Sequence, residues 1–261
     1  IGFKKGDIKT WKDYAKLPIL TKDELINGFP NEIVKDIKDF NISTRSSGSS
    51  GKFVTLAVSK DAIYNDTLQG FRQYYMQTDN RYDALDTVLF IYTCPWWITE
   101  VDGLFKSEFL PTTTKVDYAI ERIKELRPKI ISTYPTYLER ISEKKIDLRK
   151  YGVDTVIVHS EQSNRSFRDK LERELNVRIV DEYSSEELTR IALECQYNNY
   201  HLEEDACYVE AVDPKTFKKV KNGSPGILVG TNLLNLSTPI IKYSQGDLVI
   251  LDKPIKCECK N

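Results

Sequence analysis

The chain has 261 residues, 40% of them hydrophobic and 30% charged, and its 38 Lys and Arg nearly balance its 39 Asp and Glu for a net charge of −1. Such a composition belongs to a globular chain able to bury a core of its own, and the even mixing of signs excludes the basic stripe of a nucleic-acid-binding surface. No run approaches the roughly 20 apolar residues that span a bilayer. The first residues carry neither an initiator Met nor a signal-peptide stretch, so a cytoplasmic protein, cut from a longer chain, is expected.

Thr21-Lys-Asp-Glu24 has the spacing of a capping box, in which Thr and Glu each satisfy the other's backbone N–H, and it starts a short helix through Leu25 and Ile26. The small-residue run 43–51 follows. Ser59 then caps a longer helix whose apolar residues Ile63, Leu68, Phe71 and Tyr75 recur at helical spacing. Residues 85–92, apolar apart from Asp86 and Thr87, read as a strand buried on both faces. Val116, Ile120, Ile123 and Leu126 trace a helix that Pro128 ends. A strand at 129–132, a helix at 137–141, a strand at 155–158, a helix at 167–175 and a strand at 177–180 complete an alternation that implies a largely parallel sheet with right-handed crossovers. After about Tyr183 the pattern changes to strands at 191–195, 208–212, 226–230 and 239–243, separated by turns such as Asp213-Pro214 and Asn222-Gly223. The expected class is therefore α/β: a mostly parallel sheet with flanking helices in residues 1–183, then a smaller antiparallel β-rich subdomain in 184–261.

Three motifs carry chemistry. The run 43–53 combines hydroxyls, Gly48, Gly51 and Lys52. Glycine lets successive N–H groups turn toward one anion, the hydroxyls add donors, and Lys52 adds charge. A Walker loop is excluded, because the glycines are too close and Phe53 stands where a Mg²⁺-binding hydroxyl is required; a flexible Ser/Gly linker is the alternative. Asp181-Glu-Tyr-Ser-Ser-Glu-Glu187 places a ring that can stack on a base before carboxylates that can hold a metal. Tyr243-Ser-Gln-Gly-Asp247 places an aspartate after a glycine turn, where it can accept both hydroxyls of a ribose. The short basic run 215–221 reads as a solvated turn.

In this order the motifs resemble the signature set of the adenylate-forming, or acyl-CoA synthetase, superfamily, and most of all its phenylacetate–CoA ligase and capsule-biosynthesis branch. Residues 17–25 resemble that branch's lead-in to the glycine loop, Tyr134-Pro-Thr-Tyr137 its helix start, and His159-Ser-Glu-Gln162 a turn beside its acyl pocket. The resemblance implies a phosphate loop of Ser46, Ser47, Gly48, Ser49, Ser50, Gly51 and Lys52, with Glu161 also beside the nucleotide. It implies Tyr183 for adenine stacking, Glu187 for Mg²⁺ and Asp247 for the ribose. Lys52 and Glu187 would serve catalysis. Glu186 stands where the family has a hydroxyl, and Ser184 where it has glycine; an alignment shifted by one residue gives the roles to Ser185 and Glu186 instead. The implied activity is ATP-dependent activation of a small-molecule carboxylic acid as acyl-AMP, with transfer to CoA. A non-catalytic nucleotide-binding module, or transfer to a protein or sugar, are the other readings. The family's C-terminal lid domain, with its lysine, is expected to be absent, so this chain is expected to bind nucleotide but adenylate poorly. The segment 94–97 and Tyr134 are either acyl-pocket walls or core aromatics.

Five cysteines do not form a secreted disulfide framework. Cys94 and Cys207 read as buried, inert thiols. Cys195, His201, Cys257 and Cys259 supply the ligand types of a structural tetrahedral Zn²⁺ site, and some relatives in the resembled branch carry a similar set. Unligated thiols beside a surface histidine are the alternative.

Overall fold

A computed structural model describes residues 6–35, 42–45 through their backbone, 51–95, 100–253 and 256–259. Ser46, Ser47, Gly48, Ser49, Ser50, Trp96 and Trp97 lie outside the described residues. The chain opens with α1 (Trp11–Tyr14), α2 (Lys22–Gly28), β1 (Ile42–Arg45), β2 (Thr55–Val58) and α3 (Lys60–Gln77). An alternating stretch follows: β3 (Val88–Tyr92), β4 (Ser107–Pro111), α4 (Val116–Leu126), β5 (Ile130–Thr133), α5 (Pro135–Ser142), β6 (Thr155–His159), α6 (Arg165–Leu175) and β7 (Arg178–Ser185). It ends with β8 (Thr189–Glu194), β9 (Tyr200–Leu202), β10 (Cys207–Val212), β11 (Pro225–Asn232) and β12 (Tyr243–Ile250). The residues divide into two compact units, the first comprising 1–62, 186–188 and 205–254, the second 63–185, 189–204 and 255–261.

The second unit is built on a seven-stranded sheet in the order β4-β3-β5-β6-β7-β8-β9. The strands from β4 to β7 are parallel, while β8 and β9 join antiparallel at one edge. The apolar alternation of each central strand explains why both sheet faces are covered. Leu89, Ile91, Ile131, Val156, Val158 and Ile179 pack with Ala119, Ile120 and Ile123 of α4, Leu138 and Ile141 of α5, and Leu171 and Leu175 of α6. The intervening Val88, Phe90, Ile130, Ile157 and Val180 pack on the other side with Tyr74 and Phe71 of α3 and with Tyr82. Each such side chain stabilises the fold by roughly 1.5–3 kcal/mol on burial. The helix ends have local causes. Pro135 opens α5 at its first turn, Asn164 Oδ1 accepts the Phe167 N–H at 2.9 Å to start α6, and Arg127 and Asn176 stop α4 and α6 in the left-handed region.

The periodicity of α3 misjudges its inner face. Leu68 is 46% exposed, whereas Thr67, Gln69, Gln73 and Gln77 are buried. The reason is a polar network beneath the helix. Arg190 of β8 pairs with Asp66 and donates through Nε to Gln73 Oε1 at 2.8 Å. Gln73 Nε2 donates to Glu182 Oε2 at 2.7 Å, and Gln77 Nε2 donates to the Asp181 and Glu194 carbonyls, each at 3.1 Å. Cys94, expected to be buried, is exposed, because β3 ends at Tyr92 and the chain has already left the sheet. Cys207 is buried.

The first unit holds the antiparallel pair β1-β2 and the antiparallel sheet β10-β11-β12. The capping box of α2 forms, with Thr21 accepting from the Glu24 N–H and Glu24 from the Thr21 N–H; both partners lie within one turn. The lead-in then docks on β12: the Leu20 N–H donates to the Lys242 carbonyl and the Ser244 N–H to the Leu20 carbonyl, each at 2.9 Å. Asn235 and Thr238 clamp β2 through Ala57, whose carbonyl and N–H they meet at 2.8 and 2.9 Å respectively. The last strand corrects an expectation. It begins at Tyr243 instead of Pro239 and runs through the motif to Ile250. Its register slips between Ile227↔Leu248 and Val229↔Ser244, so the extra residues 245–247 form a bulge, with Gly246 at φ 88° supplying the left-handed turn.

Candidate functional site

In the first unit, β1 and β2 pair from Ile42↔Val58 to Arg45↔Thr55, so the glycine-rich run joins the two strands of a hairpin. Gly51 sits at φ 74° with open space where a Cβ would be. Lys52 is 59% exposed, and its Nζ lies 2.7 Å from Asp23 Oδ1 in the first turn of α2. The turn 186–188 supplies a second group. Glu186 is exposed, whereas Glu187 is 6% exposed. Asn232 Nδ2 donates to the Glu187 carbonyl at 2.9 Å, and Leu188 packs where a Cβ on Gly230 would stand. The Tyr243 hydroxyl donates to Glu187 Oε1 at 3.3 Å. Burial pushes the Glu187 carboxyl above the usual range; its own backbone N–H, Tyr243 and Lys22 pull it down, and Asp247 pushes it up further. Asp247 is exposed on the bulge and accepts from Gln245 Nε2 at 3.1 Å. Lys52, Glu186, Glu187 and Asp247 thus belong to one compact unit, and the field of Asp247 reaches Glu187.

In the second unit, Tyr183 is half-buried in β7 opposite Ala192, and the register slips between Tyr183 and Ser184. Ser185 pairs with Thr189, closing the hairpin from which 186–188 extends. Glu161 is exposed and braces the start of α5, accepting the Thr136 N–H at 3.0 Å and hydroxyl at 2.9 Å. The carboxyl ends of parallel strands in an open α/β sheet are where ligands bind, and here they carry an aromatic cluster. The rings of Tyr92 and Tyr134 stack at 5.0 Å, and His159 meets the Tyr92 ring edge-on at 5.0 Å. His159 is buried, with Nε2 3.0 Å from Ser132 Oγ and Nδ1 3.0 Å from Ser160 Oγ. Burial, with a smaller contribution from Arg190, lowers its pKa against the opposing pull of Glu182 and Glu161, so the ring is neutral at pH 7. Burial would raise Glu182, but Arg190, His159 and the hydrogen bonds from Gln73 and Ser184 together outweigh it and hold the carboxyl below its usual range. Sequence patterning missed Tyr92 and Arg190, and it named His159 and Glu182 only within longer motifs. The one available signal was glutamine at helical spacing on an otherwise apolar face.

A separate cluster in the second unit gathers Cys195, His201, Cys257 and Cys259, whose ligand atoms all lie within 4.8 Å of one another. Cys195 directly follows β8, and its carbonyl accepts the Asn198 N–H at 3.0 Å in the tight turn that leads to His201 on β9. Cys195 Sγ and Cys257 Sγ are 3.7 Å apart, and Cys259 Sγ is 3.1 Å from His201 Nε2. The first spacing is too long for a disulfide and close to the edge, about 3.8 Å, of a tetrahedron with Zn–S bonds of about 2.3 Å. The Cys259 N–H, with Cys259, Asn199 and His201 side chains, holds the Cys257 thiol down to about 6. Three soft sulfurs and one imidazole fit Zn²⁺.

No family model matches the chain. The phenylacetate–coenzyme A ligase of Aromatoleum evansii is 25% identical over 268 residues, covering 97% of this chain and 60% of that protein. The enzyme of the same name from Thermus thermophilus is 29% identical over 140 residues, 49% of this chain and 31% of that protein. Among solved structures, 2-hydroxyisobutyryl-CoA ligase in complex with 2-HIB-AMP and CoA superposes with a TM-score of 0.78 at 18% identity, covering 95% of this chain and 58% of the other. The chain therefore spans at most about 60% of the length of these curated relatives.

Proposed function

Because the chain belongs to the adenylate-forming acyl-CoA ligase superfamily, we propose that it is the core of an enzyme that activates a small carboxylic acid as acyl-AMP and passes the acyl group to CoA. The observation that carries this reading is the placement of Lys52, buried Glu187 and Asp247 in one compact unit, with Tyr243 bonded to Glu187. In the first half-reaction a carboxylate oxygen attacks the α-phosphorus of ATP, and pyrophosphate leaves; in the second, the CoA thiol displaces AMP. The chain's contribution is positioning and charge neutralisation. The run 46–51 offers N–H and hydroxyl donors to the phosphates, and Lys52 a mobile cation. Tyr183 stacks on adenine, Ser184, Ser185 and Glu186 line its phosphate side, and Asp247 accepts the ribose hydroxyls. Glu187 would hold Mg²⁺, which supplies charge neutralisation at the phosphates when bound. Tyr92 and Tyr134 offer the flat apolar wall an acyl group needs, with Glu161 bracing the helix beside them. Cys195, His201, Cys257 and Cys259 would hold a structural Zn²⁺ that ties residues 256–259 to β8 and β9. Among the described residues no helix is long and apolar enough to cross a membrane, and cysteines outside any disulfide suit a cytoplasmic location.

The test is titration of the purified chain with ATP and Mg²⁺, followed by a panel of carboxylic acids scored for AMP release with and without CoA. Acid-dependent AMP release is expected. ATP binding without release for any acid would instead support a nucleotide-binding module, and absence of ATP binding would overturn the reading.

A further inference from the structure

We propose that the first unit carries a second small-molecule site, an organic-anion cleft built around Lys242. The cleft encloses about 600 Å³ between the lead-in to α2, the turn at Thr216–Lys218 and the start of β12. Among the described residues its walls carry two ammonium groups, Lys218 and Lys242, and no carboxylate, in a chain whose net charge is −1. The basic run that reads as a solvated turn in sequence thus forms one side of a concave surface.

Lys242 is the decisive residue. It is 6% exposed, its Nζ donates to the Ala15 carbonyl at 3.2 Å, and it lies 5.4 Å from the centre of the Tyr14 ring. No described Asp or Glu forms an ion pair with it. An ammonium has three donors, and a carbonyl and a ring face replace only part of the hydration lost on burial. An anion in the cleft supplies the missing counter-charge. The backbone holds the lysine there at some cost: Lys242 sits at φ 53°, in the left-handed region that a long side chain disfavours. Its N–H is fixed by Thr231 Oγ1 at 2.9 Å, which itself lies 2.8 Å from the Tyr14 hydroxyl.

The rest of the lining defines the ligand class. Phe217, 47% exposed and also at φ 53°, adds a flat apolar ring to the lining. Its turn is pinned by Asp213, which accepts the Thr216 N–H at 2.8 Å. Leu17 and Pro18 form an apolar wall, and Ser244 offers a hydroxyl. A volume far beyond that of a bare phosphate, lined by two cations, an aromatic ring and an apolar wall, fits an aryl or similarly flat body bearing a phosphate or carboxylate head.

Calorimetric titration with phenyl phosphate and with benzoate tests this, run beside a separate titration with ATP. Binding of at least one aryl anion is expected, weakened about tenfold in Lys242→Met, as loss of one charge-assisted contact implies, and weakened several-fold in Lys218→Glu. Lys242→Arg should restore most of it. Tighter phenyl phosphate marks a phosphate ester as the ligand type, and tighter benzoate marks a carboxylic acid. Should Lys242→Met fail to fold by circular dichroism, Lys218→Glu decides alone. Failure of both anions to bind, or binding indifferent to the folded lysine variants, overturns the cleft. Loss of ATP binding alone leaves the cleft standing, and loss of aryl-anion binding alone leaves the nucleotide reading intact.

Discussion

The Tyr243 hydroxyl reaches Glu187 Oε1 at 3.3 Å in a setting where both side chains are nearly removed from solvent, Tyr243 at 2% exposure and Glu187 at 6%. That contact joins the turn 186–188 to the strand that carries Asp247. Burial dominates the Glu187 carboxyl and raises its pKa, while the tyrosine donor favours the ionised form. A carboxyl whose folded pKa exceeds its unfolded one stabilises the fold below the unfolded value, and that contribution is lost as pH rises through the folded value. The melting temperature of the wild type should therefore decline across this window, and Glu187→Gln should remove that part of the decline. Tyr243→Phe, which deletes a donor to the carboxylate, should shift the decline to higher pH. Calorimetric melts across the acidic-to-neutral range check both; coincident profiles for wild type and Tyr243→Phe would sink the assignment.

Lys52 and Asp23 form an exposed ion pair at 2.7 Å. Exposed pairs contribute only about 0.2–1 kcal/mol, so Asp23→Asn should leave stability almost unchanged. On the proposed reading the same variant releases Lys52 for phosphate, and ATP affinity should rise a few-fold, whereas Lys52→Ala should lower it about tenfold or more. Equal ATP affinity in all three proteins would remove Lys52 from the nucleotide site.

The cysteine cluster makes a direct analytical prediction. Protein purified without chelator should contain one Zn²⁺ per chain, and Cys195→Ser or Cys259→Ser should lose it. Because metal bound only to the folded state stabilises by mass action, about 4 kcal/mol at a thousandfold excess over the dissociation constant, chelation should lower the melting temperature of the wild type and leave the serine variants unmoved. A metal-free protein whose melting is insensitive to added zinc would retire the site.

Arg190 is the hub of the buried network beneath α3, paired with Asp66 and bonded to Gln73. Removing one member of a buried, hydrogen-bonded charge set leaves its partners uncompensated, at a cost of about 3–5 kcal/mol. Arg190→Met should destabilise by that amount in denaturant unfolding, and Asp66→Asn by less, since Asp66 is itself pushed toward the neutral form by burial, with Arg190 opposing. An Arg190→Met protein as stable as wild type would mean that the network is structurally idle.

What could be read in the chain by itself followed the range of the interactions concerned. The Thr21–Glu24 box, the Ser59 cap, whose Oγ accepts the Ala62 N–H at 3.1 Å, and the alternation that builds β3 and β5 to β7 rest on neighbours within a turn or on strand periodicity, so residue order determines them. The polar face of α3 was not legible, because Gln73 and Gln77 find partners at Glu182 and Glu194, more than a hundred residues away. The bulge at 245–247 likewise follows from the register of β11 against β12, which no local propensity encodes. Sequence determined that four soft ligands exist at Cys195, His201, Cys257 and Cys259, and that a glycine-rich run precedes Lys52. Tertiary structure alone decided that the four ligands converge within 4.8 Å, that Glu187 and not Glu186 is buried against Tyr243, and that Lys242 is buried with its ammonium against the Ala15 carbonyl and the Tyr14 ring. Side-chain chemistry is carried by each residue, but proximity, burial and counter-charge exist only after distant segments have packed.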